Sequence, residues 1–342
     1  MTTAATRRIG LQFDDNLLAP QLFGEHGIHL NMIEEHCDVE IASRGNELVI
    51  TGTKPNLKAA QRTLDALWER LLKNLDVGPD EVSAALRLGQ EDIDPDARKL
   101  ALEAFKKPQI NVQKGAKVKH VTARSPNQAK YLESMEKYDV IFGLGPAGTG
   151  KTFLAVAQAV KKLQEGHVDR LILCRPAVEA GERLGFLPGD LQEKVDPYLR
   201  PIYDSLNDMM PAEQVVQRLA NGQIEVAPLA FMRGRTLSNA FIILDEAQNT
   251  TPTQMKMVLT RLGEGSTMVI NGDPSQVDLP KGQKSGLSDA QGVLKRLKDV
   301  SFIQFKDSDV VRHNTVAKII RAYDRADKKK ARTATQSDTH HE

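Results

Sequence analysis

Gly145-Pro146-Ala147-Gly148-Thr149-Gly150-Lys151-Thr152 is the stretch whose reading decides the fold. It fits the pattern G-x-x-x-x-G-K-[ST]. An apolar run from Tyr138 to Leu144, broken by Asp139, precedes it, and an amphipathic run from Phe153 to Leu163 follows. Strand, glycine-rich turn and helix are the order that a phosphate cradle needs. Glycines let successive backbone N–H groups turn inward, and the helix N-terminus adds a favourable dipole. In such a cradle Lys151 neutralises the outer phosphates and the Thr152 hydroxyl ligates Mg²⁺. A glycine-rich turn that fits the pattern by chance is the bland alternative, and the motifs downstream count against it.

Phe241-Ile242-Ile243-Leu244-Asp245-Glu246 is an apolar strand that ends in two carboxylates, far enough downstream to leave room for two strand–helix units. Asp245 is placed to hold Mg²⁺ and Glu246 to orient and polarise an attacking water, which implies hydrolysis and not passive binding. Gly272-Asp273-Pro274-Ser275-Gln276 follows another apolar strand, and Gln276 is read as a sensor of the terminal phosphate or the water. An Asp-Pro turn with no role is the competing account. Asp309-Val310-Val311-Arg312-His313 offers Arg312 as a cation for the transferring phosphoryl group, or else a surface arginine at a helix start. Upstream, Arg124-Ser125-Pro126-Asn127-Gln128 sets an amide where it can pair with adenine, favouring ATP over GTP. The same residues also read as a helix start, with Ser125 as cap and Pro126 in the first turn.

Charged residues make up 27% of the 342 and hydrophobic ones 40%, as in ordinary soluble chains of about two domains. The formal net charge of +1 excludes a global basic footprint, so any nucleic-acid surface must be a local patch. Cys37 and Cys174 stand far apart, which favours buried free thiols in a reducing compartment over a disulfide or zinc site. The first residues show no secretory apolar core, and no apolar run approaches membrane-spanning length. These features set the expectation of a cytoplasmic protein without membrane contact.

The chain divides into four parts by pattern. Residues 1–75 read as a small α+β module: strand Arg7–Phe13, helices Asn16–Phe23 and Ile28–His36, strands Asp38–Ser43 and Glu47–Gly52, helix Asn56–Lys73. Residues 76–125 read as a connector, helical to Phe105. From Lys106 to His120 it carries five lysines and no acid, as an extended linker or a surface hairpin. Residues 126–325 alternate strands with helices, which means a mostly parallel sheet covered on both faces. The expected strands are Tyr138–Leu144, Arg170–Arg175, Ile224–Pro228, Phe241–Asp245, Ser266–Gly272 and Val300–Phe305. Residues 326–342 read as a polar, disordered tail.

These five motifs, with Arg175-Pro176-Ala177-Val178-Glu179-Ala180-Gly181-Glu182 and Leu184-Gly185-Phe186-Leu187-Pro188-Gly189-Asp190, resemble the PhoH-like family of P-loop ATPases over about residues 110–325. The resemblance implies a RecA-like core that binds ATP and Mg²⁺ and hydrolyses ATP. That family is itself similar to the first core of superfamily-one helicases, which implies that Arg175 lies beside single-stranded RNA. One departure is Asn314, where the pattern leads one to expect proline after Arg312-His313. A single core also lacks the second half of a helicase cleft. A homo-oligomer, such as a ring, is therefore expected, with Arg312, Arg233 or Arg235 supplied by a neighbour. The N-terminal order of elements, with Gly24-Glu25-His26-Gly27 between two helices, resembles a KH domain, whose G-x-x-G loop clamps RNA. Glu25 stands where a basic residue would help. The RNA-contact candidates are Gly24, Gly27, Lys117, Lys119 and Arg175. The leading expectation is an ATPase that binds or remodels RNA. The competing one is a nucleotide-gated adaptor that recruits a ribonuclease or a ribosome-associated factor.

Overall fold

The computed structural model describes residues 6–89, 94–176, 191–280 and 282–310. Arg312, and the tail expected from residue 326, lie outside the described residues, as does most of the Arg175–Asp190 motif beyond Pro176.

The N-terminal unit is a three-stranded antiparallel sheet with helices against it. Strands β1 (Arg7–Gln12), β2 (Glu40–Arg44) and β3 (Glu47–Gly52) pair in the order β1-β3-β2. Helices α1 (Ala19–Phe23) and α2 (Ile28–Cys37) lie between β1 and β2 in the chain, and α3 (Lys54–Leu72) follows β3. Helix α1 starts three residues later than expected, because Asp15 Oδ1 accepts the N–H groups of Leu17 and Leu18 and makes a turn there instead. The periodic face of α3 is buried as its spacing requires: Leu57, Ala60, Leu64, Leu67 and Leu71 all join one core. Trp68 is half-buried at its edge, 4.8 Å from the Phe13 ring.

Segment 76–125 is shared between two cores. Helices α4 (Pro79–Gly89) and α5 (Pro95–Phe105) bury Val82, Ala85, Leu86, Leu88, Ala101 and Phe105 with the N-terminal unit. Strands β4 (Ile110–Lys114) and β5 (Lys117–Val121) form an antiparallel hairpin. Its Ile110, Val112 and Val121 are buried in the core of the large sheet. The lysines hide this alternation in the sequence. Lys106 is itself taken up by Glu69, 2.8 Å away. Arginines tie the two units: Arg70 donates to Phe105 O and Thr122 Oγ1, Arg87 to Val310 O, and Arg124 to Glu81 Oε1.

The large sheet has six strands: β6 (Val140–Leu144), β7 (Arg170–Arg175), β8 (Ile224–Pro228), β9 (Ala240–Leu244), β10 (Thr267–Gly272) and β11 (Val300–Gln304). Their order is β11-β6-β10-β9-β7-β8, and every neighbouring pair is parallel. Both faces are covered, so the central strands are continuous apolar runs. Ile141, Leu171, Leu173, Phe241, Ile243 and Val269 face α6 (Pro126–Lys137), α7 (Lys151–Gln164) and α8 (Leu191–Met209). The alternate residues face α10 (Pro252–Leu259) and α11 (Gly286–Leu294), α9 (Ala212–Ala220) packing beside β8. This is a RecA-like arrangement behind a smaller mixed α/β unit. Its consequence for chemistry is that β10 lies between β6, which leads into the glycine loop, and β9, which carries the acidic pair. All these strands end on one edge.

Candidate nucleotide site

The glycine loop spans the end of β6 and the start of α7. Gly145 has φ +137°, and a Cβ there would lie 2.5 Å from Phe305 O, so glycine alone fits. Lys151 is buried, and its Nζ donates to the carbonyls of Gly145 at 2.7 Å and Pro146 at 2.9 Å. The charge is thereby held over the glycine loop.

Thr152 Oγ1 donates to Asp245 Oδ1 at 2.8 Å. The two motifs, distant in sequence, meet here because β6 and β9 flank β10 and α7 crosses above them. Burial pushes the Asp245 carboxyl above its ordinary range, and the charge of Glu246 acts in the same direction. The Thr152 hydrogen bond and the Arg175 guanidinium oppose that shift.

Glu246 takes a left-handed backbone conformation, φ +52°, which breaks the strand sharply. Its Oε1 lies 3.4 Å from Arg175 Nη2, at the end of β7. Its Oε2 accepts from Gln248 Nε2 at 2.6 Å. Gln248 is buried, and its Oε1 accepts the Asp273 N–H at 3.1 Å. Gln248 thus joins the acidic pair to the Gly272–Gln276 turn. Sequence reasoning passed it over, although an amide two residues beyond a strand-end carboxylate was the available signal. In that turn Asp273 Oδ1 accepts from Ser275 N–H and Oγ–H, and the Gln276 N–H donates to Asp273 O. Gln276 itself is exposed.

A second pair was also missed. Tyr131 OH donates to Asn271 Oδ1 at 2.6 Å, both fully buried. Asn271 stands in register with Gly143 on β6, where any Cβ would meet its Oδ1 at 2.6 Å. Asn271 Nδ2 and Asp273 Oδ2 are buried without a hydrogen-bond partner among the described residues. Burial drives the Tyr131 phenol well above its ordinary range, so it remains a donor.

The remaining candidates fall in different places. Gln128 is buried; its Oε1 accepts the Arg124 N–H at 2.7 Å and its Nε2 donates to Thr149 O at 3.0 Å. The Ser125 side chain caps α6, with Pro126 in its first turn. Lys119, like Lys114, donates to Asp208 O at the C-terminal end of α8, where carbonyls attract cations. Lys117 is exposed. Arg235 is bound bidentately by Glu225 at 2.6 and 2.7 Å, whereas Arg233 is exposed. Gly24 and Gly27, both at positive φ, lie on the N-terminal unit, beside a cleft of about 550 Å³. Burial raises the thiols of Cys37 to about 11 and Cys174 to about 12, as expected of inert interior cysteines.

The family model described as PhoH-like protein matches residues 120–324, a span that starts within β5 and takes in all six strands of the large sheet. The chain belongs to the PhoH-like family. It is 48% identical over 308 residues to a PhoH-like protein of Bacillus subtilis, covering 90% of this chain and 94% of that one. The likeness to a PhoH-like protein of Synechocystis is 46% over 311 residues, covering 90% and 91%. Both likenesses reach into the N-terminal unit. Protein PhoH of Escherichia coli is 47% identical over 205 residues, 59% of this chain and 58% of that one. Membership of the PhoH-like family supports ATP binding and hydrolysis in general. Among the described residues no helix is long and apolar enough to cross a membrane.

Proposed function

We propose that this chain is a Mg²⁺-dependent ATPase that couples hydrolysis to binding or remodelling RNA in the cytoplasm. One observation carries the reading: Thr152 and Asp245 are hydrogen-bonded beside Glu246, on the edge where the glycine loop ends. The donor set suits Mg²⁺. A threonine hydroxyl and one carboxylate are hard oxygen ligands, and Mg²⁺ takes its other ligands from phosphates and water. Among the described residues no group of three or more His, Cys, Asp or Glu is placed to hold a metal by itself. When bound there, Mg²⁺ would supply positive charge that offsets the negative charge on the phosphate oxygens.

The residues then have distinct tasks. The N–H groups of residues 145–152 and Lys151 hold the phosphates, and Thr152 and Asp245 hold the metal. Glu246 orients the attacking water and takes up its developing positive charge. Gln248 aims Glu246, and Gln276, in the adjoining turn, reports the terminal phosphate. Gln128 binds the nucleotide indirectly, through Thr149 of the loop. Arg312, or Arg233 of a neighbouring copy in a homo-oligomer, supplies the remaining cation.

The RNA side rests on the N-terminal unit. Its element order, its sheet order and the Gly24–Gly27 turn between two helices agree with a KH-like module. The cleft beside that turn is lined by Pro20, Phe23, Leu30 and the β2–β3 turn, an apolar floor suited to a base. A second reading, the nucleotide-gated adaptor that recruits a ribonuclease or ribosome-associated factor, is favoured by Glu25 and by the inward use of Lys114 and Lys119.

The test is ATP hydrolysis by the full chain with and without single-stranded RNA, using Glu246→Gln as the blank. RNA-stimulated turnover that depends on Glu246 supports the proposal. Turnover indifferent to RNA favours the adaptor. Equal turnover in wild type and Glu246→Gln overturns the ATPase assignment.

A further inference from the structure

Glu246 is held from two sides, and the two holds differ in kind. Gln248 is buried and bonded to the Asp273 N–H in the turn that follows β10, so it is a fixed support. Arg175 is only half-buried and sits at the open end of β7. Next along the edge, Arg175 is in register with Pro228, the last residue of β8. Immediately beyond, Leu229–Met232 form a tight turn whose Leu229 and Met232 are buried. That anchoring forces Phe231 outward, to 54% exposure. Arg233 follows it, also exposed. The return of the loop is fixed by the Glu225–Arg235 pair and by Arg261 Nη1 donating to Arg235 O at 3.0 Å. Phe231 and the Arg175 guanidinium therefore belong to the same end of the sheet, Phe231 standing three residues beyond Pro228, the register partner of Arg175.

We propose that Arg175 is a positioning residue that restrains Glu246, and that a phosphate of single-stranded RNA, bound along this edge with a base stacked on Phe231, draws Arg175 away and releases it. The proposal rests on the reading of the chain as an RNA-coupled ATPase and assigns its regulation. An exposed ring stacks on any base, and arginines follow the backbone, which is the chemistry of sequence-tolerant strand binding. The effect on hydrolysis follows from the carboxylate. With Oε1 facing a guanidinium and Oε2 accepting from Gln248, both oxygens are turned to protein cations and donors. Withdrawal of Arg175 leaves Oε1 to a water while Gln248 keeps the carboxylate aimed.

The experiment measures ATP turnover of the full chain with and without oligouridylate, for wild type, Arg175→Ala, Arg175→Lys and Phe231→Ala, with a fluorescent ATP analogue to report binding. Arg175→Ala is expected to hydrolyse ATP faster than wild type in the absence of RNA, by about fivefold, and to gain nothing more when RNA is added. A residue with a merely structural role would not raise the rate. Arg175→Lys, which retains a cation, is expected to fall between the two and to keep some stimulation; it carries the test if the alanine variant does not fold. Phe231→Ala is expected to need about tenfold more oligouridylate for half-maximal stimulation. A slower or unchanged basal rate in both Arg175 variants, with nucleotide binding retained, overturns the restraint. Equal stimulation by polyglutamate and by oligouridylate overturns the RNA strand as its trigger. If wild-type turnover requires Glu246 but ignores RNA, the RNA reading fails, whereas a fast Arg175→Ala still upholds the restraint.

Discussion

Two glycine-bearing turns each open a helix in this chain, and they are built in opposite ways. The loop before α7 is enclosed. Phe305 O crowds Gly145, the Gln128 amide lies against Gly150, and the Lys151 ammonium is bonded across the loop. The turn before α2 is open. Its openness is at the tip: Glu25 and His26 are exposed and a Cβ at Gly27 would meet nothing within 4 Å, whereas one at Gly24 would lie 2.8 Å from the buried His29 ring. Enclosure fixes the direction of every N–H group before a ligand arrives, which is what phosphate chemistry needs. An open turn beside an apolar cleft leaves shape and access to the ligand, which suits a flexible strand. The comparison teaches that glycine content alone says little. What surrounds the glycines decides whether a loop is a rigid cradle or a permissive clamp.

The sharpest way to break this contrast is Lys151→Ala. The enclosed loop is expected to lose nucleotide binding altogether, measured by titration with a fluorescent ATP analogue, while binding of oligouridylate, which the proposal assigns to the N-terminal unit, is unchanged. Retained ATP affinity would mean that the loop is not the phosphate site. Next is Glu246→Gln, expected to bind ATP with little change yet to turn over at least tenfold more slowly, a barrier increase of about 1.4 kcal/mol or more. Normal turnover would remove Glu246 as the water-orienting group.

A pair of alanine substitutions then compares the loops directly by thermal or urea unfolding. Gly145→Ala adds a clash with Phe305 O to an unfavourable φ, and is expected to cost about 3 kcal/mol. Gly27→Ala adds only the strain of its left-handed backbone, about 1 kcal/mol, since its Cβ meets open space. Equal losses would show that the difference in packing does not reach stability.

The same contrast governs what was legible in the sequence. All six strands of the large sheet lie within two residues of their expected bounds, because buried parallel strands are short apolar runs ended by turns. The meeting of Thr152 with Asp245 follows the two motifs, since Lys151 and Thr152 open α7 and Asp245 and Glu246 follow β9, as the sequence pattern set them. Gln248, Tyr131 and Asn271 were not legible, since their meaning depends on which strands become neighbours. Asn271 is only a polar residue at the end of Thr267–Gly272 until β10 is set between β6 and β9. The hairpin β4–β5 was one of two readings of its segment, but its packing was hidden: its lysines suggest solvent, yet two of them reach the carbonyls that end α8 and its apolar residues join the core.

Gln128 carries the smallest expected effect and the finest distinction. As a reader of adenine it would make its amide available to a base. In the structure both amide atoms serve the protein, one receiving the Arg124 N–H and the other bonded to Thr149 O inside the loop. Arg124 in turn is paired with Glu81 of α4, so Gln128 stands between the N-terminal unit and the phosphate cradle. Each amide atom keeps spare hydrogen-bonding capacity, but Gln128 is buried, and turning its amide toward a base would give up these bonds and leave a buried backbone group unpaired at a cost of about 1–3 kcal/mol. Gln128→Ala is therefore expected to weaken ATP and GTP by the same factor, about tenfold or less, with their ratio unchanged. A selective loss of ATP would instead show that the amide turns to the base when nucleotide binds. In that case even the enclosed loop would share a side chain with its ligand, and the contrast with the open turn would be one of degree.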